Sequence, residues 1–562
     1  MTLSNDRARL AIELAPKGGE AFSAAWRALV DDWLRERFAV ACSEAGLGDG
    51  EGSGLALVAT GGTGRGDLAP GSDLDLLLLH SKRTDPSRVA ELLWYPIWDE
   101  GLKLGHAVRT ERDALSFASE DLETATAFLS CRHVAGDEAM TVSLAEAAAA
   151  QWRKRSKWAL ARLREVTEAR WAAHGELAFL LEPDLKEARG GLRDVHVLRW
   201  AEAASPVLDP NDVSELAECE ATLFDARVAL HTVAARSTER LGLEDQDAVA
   251  ESLGMDADEL AASLSAAARR VTWVADETWD RISSRLTTDR SLLGWRSRSR
   301  APGVVVKAGQ VLLEANRDPA THPELVFEVA EVAVRTGSRP ARATLDRLLD
   351  RTPEPSVPWP TELRERFVAL LAAGHAAVPV IESFDHVGLW TRFLPEWDHV
   401  RSRPQRNAYH RFTVDRHLLE ATANAAALAA AVERPDLLLL GALLHDIAKG
   451  KPGDHALVGA DQAVEVSSRM GFDEADCQVL ARLVRHHLLL ADVATRRDLT
   501  DPVTISTVAD AVEDRLTLKL LATLTEADSG ATGPSAWSPW KADLVSELVR
   551  RVEVHLAGGD PS

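Results

Sequence analysis

Cysteine is scarce in this sequence. The 562 residues include four, Cys42, Cys131, Cys219 and Cys477, too far apart for a disulfide framework or a zinc knuckle, so each is expected to be a small core residue. Cations are in deficit as well. The 64 Lys plus Arg face 87 Asp plus Glu, and the resulting net charge of −23 has the wrong sign for a protein that lives on a nucleic-acid backbone. Long apolar runs are missing: stretches such as Leu437 to Leu444 fall far below the roughly 18 residues of a membrane span. The N-terminal MTLSNDRARLAIELAPKGGE lacks the basic stretch and apolar run of a secretory leader, and no tandem repeat is present. A cytoplasmic protein that engages neither membrane nor nucleic acid is the expectation.

The remaining composition, 46% hydrophobic and 27% charged, is that of a globular protein, and the length predicts three or four domains at roughly 150 residues each. Apolar positions at spacings of three and four (Leu10, Leu14, Phe22, Trp26, Leu29, Trp33) predict helix over 5–45. LALVAT (55–60) reads as a strand, GGTGRGDLAPGS as a glycine loop, and DLDLLLLH (73–80) as a second strand. From about 140 to 300 the pattern is helical, broken by LEPDLKEARGGLRD at 181–194. VVVK (304–307) and QVLLE (310–314), joined by Ala-Gly, predict a hairpin. The Pro-rich RTPEPSVPWP (351–360) reads as a linker, and 361–555 is again helical, with most of the histidines. The expected fold is α+β and predominantly helical, divided at 1–150, 151–360 and 361–562.

Two stretches carry chemistry. In the first, Gly61 and Gly62 have no Cβ, so the backbone can approach a triphosphate and offer N–H donors, with Gly64, Arg65 and the Ser72 hydroxyl beside them. Asp73 and Asp75, two apart on a strand, project from one face and suit Mg²⁺. In nucleotidyltransferases of the polymerase-beta type, whose motif this stretch resembles, a third carboxylate completes the metal site from a later strand. Here that strand is LGHAVRT (104–110), which has none of its own. Asp99, Glu100 and Asp113 flank it, and nothing in the sequence chooses among them. The second stretch, 404–534, holds His410, His417, the doublet His445-Asp446, His455, His486-His487 and Asp528. His417, His445, Asp446 and Asp528 sit on or at the ends of successive apolar helices, so a bundle can bring them to one buried point. Imidazole and carboxylate there suit a divalent transition metal that lowers the pKa of water, and Lys449, one turn after the doublet, can face a phosphate.

The string GGTGRGDLAPGSDLDLLLL resembles the polymerase-beta type of nucleotidyltransferase, and the order His, His-Asp, Asp resembles the HD phosphohydrolases. LLEPDLKEARGGLRDVHVLRW (180–200), YHRFTVDRHLLEAT (409–422), LLHDIAKGKPGDHALVGA (443–460), VRHHLLLADVATRRDLTDP (484–502) and LTEADSGATGPSAWSPWK (524–541) together resemble one family, the bifunctional uridylyltransferase and uridylyl-removing enzymes of the PII signalling protein. The resemblance implies that a tyrosine of PII attacks the α-phosphorus of UTP or ATP, with Mg²⁺ on Asp73 and Asp75. It also implies an HD domain that cleaves the resulting phosphodiester with a transition metal such as Mn²⁺ on His417, His445, Asp446 and Asp528. His455 and one of His486 or His487 match places where some HD enzymes hold a second metal. Lys186 and Arg193 fall in a motif near the transferase site.

Three rivals share features with this family. A CCA-adding tRNA nucleotidyltransferase calls for a basic surface, a guanosine-tetraphosphate synthase and hydrolase has the reverse domain order, and a PII-binding pseudoenzyme would not retain both residue sets. Members of the resembled family continue past the HD domain into two glutamine-sensing ACT modules. The 22 residues after Trp540 are too few for one, so rates insensitive to glutamine are expected.

Overall fold

The computed structural model describes residues 3–559 except 49, 51, 289–297, 302, 406–409 and 534. The chain packs as two compact units. The first runs to Leu286 without Phe179–Leu181, and the second holds Phe179–Leu181 and everything later. That boundary falls inside 151–360, the stretch the sequence reads as one middle region.

In the first unit the expected helix over 5–45 is two helices, Leu3–Leu14 and Gly19–Glu44, with a short 3-10 turn between them. Pro16 has no N–H to continue the first helix, and Gly18 takes φ +105°, which an L side chain resists. Phe22, Trp26, Val30, Leu34 and Phe38 recur every four residues along the second helix. This stripe packs on one face of a sheet through Leu55, Leu57, Ala59, Leu74, Leu76 and Leu78, together with Val89, Leu93 and Ile97 of the helix Ser87–Asp99. Each such side chain contributes about 1.5–3 kcal/mol on burial.

The sheet has the order β3-β2-β1-β4, with β1 Leu55–Ala59, β2 Leu74–His80, β3 Leu104–Arg109 and β4 Arg132–Gly136. β1 is antiparallel to both neighbours, and β3 is parallel to β2. With one face sealed by helices, the opposite face carries Asp75, Leu77, Gly105, Ala107 and Arg109 into a cleft.

The second unit has its own small sheet, β5 to β8 (Arg298–Ala301, Val304–Lys307, Gln310–Leu313, Arg339–Pro340), and a helical bundle. The expected hairpin is β6 and β7. Lys307 pairs with Gln310 across Ala308 and Gly309, both at positive φ (54° and 80°), as a two-residue type I′ turn requires. The Pro-rich stretch is not a free linker. Trp359 is buried against Phe367 and Phe393, and its N–H donates to the Arg469 carbonyl at 3.0 Å.

Cys42 and Cys477 are buried, as expected of small core residues, whereas Cys131 and Cys219 are only partly so, and all four are free. No single helix among the described residues is long and apolar enough to cross a membrane.

Because Trp359 is packed into the aromatic cluster with Phe367 and Phe393, Trp359→Ala is expected to cost about 3–5 kcal/mol. Denaturant unfolding of the full chain measures it, and a loss under 1 kcal/mol would return the segment to the status of a linker.

Candidate active sites

The first site lies in the cleft of about 970 Å³ on the open face of the first sheet. The glycine loop begins as one helical turn, Gly61–Arg65, capped by an αL Gly66. Asp75 is the second residue of β2, and Asp73 sits one residue ahead of the strand rather than on it; both line the cleft. The Asp75 N–H donates to Thr63 Oγ1 at 2.8 Å, and its carboxylate accepts from the Gly62 N–H. Burial, then the Asp73 charge and that of Glu123, push the Asp75 carboxyl up to about 6, against the pull of Gly62 and Arg65.

Two glycines make room around that carboxylate. A Cβ on Gly61, which is at φ +53°, would lie 2.8 Å from Asp75 Oδ2, and one on Gly105 would lie 2.7 Å from Oδ1. Clustered carboxylates around a cradle that a Cβ would fill fit a hard divalent cation with oxygen ligands. Glu123, on the helix Leu122–Phe128, is one of the further carboxylates lining the cleft and the one whose charge, with that of Asp73, acts on Asp75; Asp99, Glu100 and Asp113 are not among the lining residues. Asp113 is instead engaged with the Thr110 cap of the next helix.

Of the expected nucleotide contacts, Gly61, Gly62, Arg65, Ser72, Lys186 and Arg193 all line the cleft. Ser72 Oγ accepts from the Ala69 N–H at 2.9 Å, which leaves its own proton to donate. Arg65 Nε lies 2.5 Å from Asp67 Oδ2, and Arg193 Nη2 lies 3.0 Å from Glu187 Oε1. Burial, then the charge of Arg227, pushes the Lys186 ammonium below its ordinary value. Gly64 is a correction. It is not among the residues that line the cleft, and a Cβ there would lie 1.9 Å from the Ser130 carbonyl oxygen. This glycine is required by the close packing of the helical turn on the backbone.

Sequence reading missed three supports of this site. Arg227 forks onto Glu239 at 2.6 and 2.7 Å at the cleft wall. His231 Nδ1 accepts the Gly71 N–H at 3.1 Å and so seats the loop ahead of Asp73; burial pushes its imidazole down to about 4, which keeps it a neutral acceptor. Asp194 is buried and accepts from the Gly190 N–H at 2.7 Å, from Trp171 and from Arg170, which holds the turn that presents Lys186 and Arg193. Gly105 had no signal either, since its importance comes from lying opposite Asp75 across two strands.

The second site is in the bundle. His417 is on the helix Val414–Leu428, and His445 and Asp446 follow Pro435–Leu444. Asp528 is on Arg515–Thr532, His455 opens His455–Arg469, and His487 comes after Glu474–Arg485. The first four are thus set at or near helix ends that the bundle gathers, as the sequence pattern implied. His417 Nε2 lies 3.1 Å from His445 Nε2 and 3.0 Å from Asp528 Oδ1, with His445 Nε2 3.6 Å from the same oxygen. Asp446 Oδ2 is 3.7 Å from His445 Nε2, while its Oδ1 is 3.6 Å from His455 Nε2 and 3.7 Å from His487 Nε2. Two groups result, His417-His445-Asp528 and Asp446-His455-His487, each with its ligand atoms within 4.8 Å of one another.

The protonation pattern suits metal ligation. His445 Nδ1 is 2.9 Å from the Ala442 carbonyl and His487 Nδ1 is 2.7 Å from that of Val484, so these nitrogens carry the protons and leave Nε2 lone pairs facing inward. Burial pushes the His445 imidazole down to about 4. Burial opposes ionisation of Asp528 and Asp446, yet His445 and its neighbours hold both carboxyls well below their usual range. Asp446 Oδ1 is buried with no hydrogen-bond partner, which a divalent cation between it, His455 and His487 would satisfy.

The doublet resolves to His487. His486 joins neither group, and its nearest charges are Arg485 and Arg482. Lys449 does not stand free for a phosphate: its Nζ lies 2.7 Å from Asp446 Oδ2 and 2.6 Å from Gln405 Oε1, a buried residue that carried no sequence signal. His410 packs edge-on to His417 at 5.4 Å.

Residues 159–279 match the GlnD PII-uridylyltransferase family, and residues 414–514 match the HD domain. Among curated proteins, relatives named bifunctional uridylyltransferase/uridylyl-removing enzyme occur in Streptomyces coelicolor (46% identical over 94% of this chain), Mycobacterium tuberculosis (42% over 95%) and Corynebacterium glutamicum (36% over 86%). The chain spans 64%, 67% and 70% of their respective lengths.

The distinct roles of the glycines separate experimentally. Gly64→Ala is expected to lose about 3 kcal/mol or more, because a backbone carbonyl cannot move aside, whereas Gly62→Ala, with nothing nearer than 3.9 Å, should unfold with the wild type. Thermal unfolding of both variants checks it; equal midpoints would place Gly64 among the ligand contacts after all.

Proposed function

Because the chain belongs to the family of bifunctional uridylyltransferase/uridylyl-removing enzymes, we propose that its two sites run opposed reactions on one protein substrate, a PII regulator. The observation that carries this reading is the presence, in one chain, of a carboxylate pair in a cleft that Arg65, Lys186 and Arg193 also line and of a His/Asp cluster whose ligand atoms converge.

At the first site a tyrosine hydroxyl of PII forms a bond to the α-phosphorus of UTP or ATP while the bond to the pyrophosphate oxygen breaks. Arg65, Lys186, Arg193 and the Ser72 hydroxyl hold the triphosphate and balance the charge that moves onto the leaving pyrophosphate. Asp73 and Asp75 would hold Mg²⁺, which supplies charge neutralisation on the phosphates. His231 and Asp194 are positioning residues, one for the loop ahead of Asp73 and the other for the turn with Lys186 and Arg193.

At the second site water adds to the phosphorus of nucleotidyl-PII and the bond to the tyrosine oxygen breaks, which returns PII and a nucleoside monophosphate. His417, His445, Asp446 and Asp528 would hold a transition ion such as Mn²⁺, with Asp446, His455 and His487 offering a second place; such ions lower the pKa of water. Lys449 and Gln405 fix the Asp446 carboxylate, and Ala442 and Val484 fix the tautomers of His445 and His487.

Incubation with a PII protein and α-labelled UTP or ATP tests the reading: label should appear on PII and later be released as the monophosphate. Asp73→Asn with Asp75→Asn is expected to lower transfer by orders of magnitude and spare release, while His445→Ala with Asp446→Ala does the reverse. Near-normal labelling by the first double variant would place the transferase metal elsewhere, and wild-type release by the second would remove the HD assignment.

Metal content is a separate check. Protein dialysed after Mn²⁺ loading is expected to retain two ions per chain and His487→Ala about one, read by elemental mass spectrometry. An unchanged content would exclude the Asp446-His455-His487 group as a metal site.

A further inference from the structure

β3 ends its sheet. It pairs with β2 alone, in parallel register from Leu74↔Leu104 to Leu79↔Arg109. The Leu74 N–H donates to the Lys103 carbonyl at 2.9 Å. In a parallel ladder this phase turns the backbone groups of Gly105, Ala107 and Arg109 toward β2 and those of Leu104, His106 and Val108 outward. Such an edge is a template for another strand, and proteins usually guard it with proline, a bulge or a covering element. Here the six residues contain no proline, the register with β2 has no irregularity, and Gly105, His106 and Val108 are exposed.

The edge adjoins the transferase cleft. Gly105 lies opposite Asp75 on the cleft face and puts no side chain between the edge and that carboxylate. The ends of the strand are cationic. Lys103 bonds Ser237 Oγ, Arg109 lies over Phe117, and neither has an ion pair among the described residues, in a chain whose net charge is −23. Trp98, 44% exposed, meets His106 edge-on at 5.5 Å and adds an apolar shoulder.

We propose that this edge docks the acceptor. On the transferase reading above, an extended, tyrosine-bearing segment of the protein substrate, with acidic residues facing Lys103 and Arg109, adds as a fifth strand beside β3. Backbone hydrogen bonds to Leu104, His106 and Val108 supply affinity, and side chains of the added strand supply specificity. An added strand lies about 10 Å from β2, two strand spacings away. A phenol crosses that gap over Gly105 to reach the Asp75 carboxylate, whereas a serine or threonine hydroxyl, held close to its own backbone, does not. The dock therefore selects tyrosine as well as extended conformation.

Val108→Pro removes one outward N–H, keeps the β2 ladder and leaves the cleft lining untouched, since edge strands accept proline on their open side. It is expected to raise KM for PII in the transfer reaction roughly tenfold or more. Nucleotide binding by calorimetry, release of nucleotide from modified PII, and the unfolding midpoint should stay near wild type, and Val108→Thr should match wild type throughout. Residue-resolved amide exchange of the wild-type chain gives a direct reading that does not depend on any variant. Saturating PII should slow His106 and Val108 strongly and leave Ala107 unchanged, the alternation that strand addition requires.

Wild-type KM in Val108→Pro, or a PII that is labelled efficiently without altered exchange at His106 and Val108, overturns the dock while the transferase reading stands. A wild-type chain that labels no PII overturns the reading and the dock together.

Discussion

A carboxylate withdrawn from water must face positive charge or hydrogen-bond donors, and each site of this chain is organised around such a group, the partly buried Asp75 in the first and the buried Asp446 in the second. Asp75 has one backbone donor and Arg65 in its favour, against burial, Asp73 and Glu123. Asp446 has Lys449 on one oxygen and nothing bonded to the other. Much of the surrounding architecture follows from these two needs. Glycines stand at 61 and 105 because a Cβ would occupy the space around Asp75, and histidine Nε2 atoms face Asp446 because carbonyls of the preceding turns hold their Nδ1 protons. At Asp75 the fold leaves space, and at Asp446 a carboxylate oxygen, for a ligand to complete.

The same constraint explains what could be read from the sequence. Asp73, Asp75, His417, the His445-Asp446 doublet and Asp528 were legible because each sits in a short pattern whose chemistry is tied to its spacing. Arg227, His231, Glu123 and Gln405 were not, since they reach their sites from distant helices and loops and look like ordinary members of the segments that contain them. Gly64 shows the opposite error. A glycine-rich run invites one explanation for all its members, yet Gly61 and Gly62 border the cleft while Gly64 lets a helical turn lie on the Ser130 carbonyl.

At the level of the fold, the strands, the hairpin and the helical bundle were legible from periodicity and turn residues. The break at Pro16 was not, because the apolar spacing on either side of it stays nearly in phase across the turn. In RTPEPSVPWP the proline content marks irregular, mostly exposed backbone, and what composition does not show is that Trp359 ties its end to the core. The boundary between the two compact units likewise falls where long-range contacts thin out, within a stretch of uniform helical pattern.

The free cysteines carry a consequence of another kind. Burial pushes the Cys131 thiol up to about 12 and the Cys219 thiol to about 11, and Cys42 and Cys477 are buried. The thiolate is the form that attacks peroxides and disulfides, and burial disfavours it at Cys131 and Cys219. Both thiols are therefore weak nucleophiles at neutral pH.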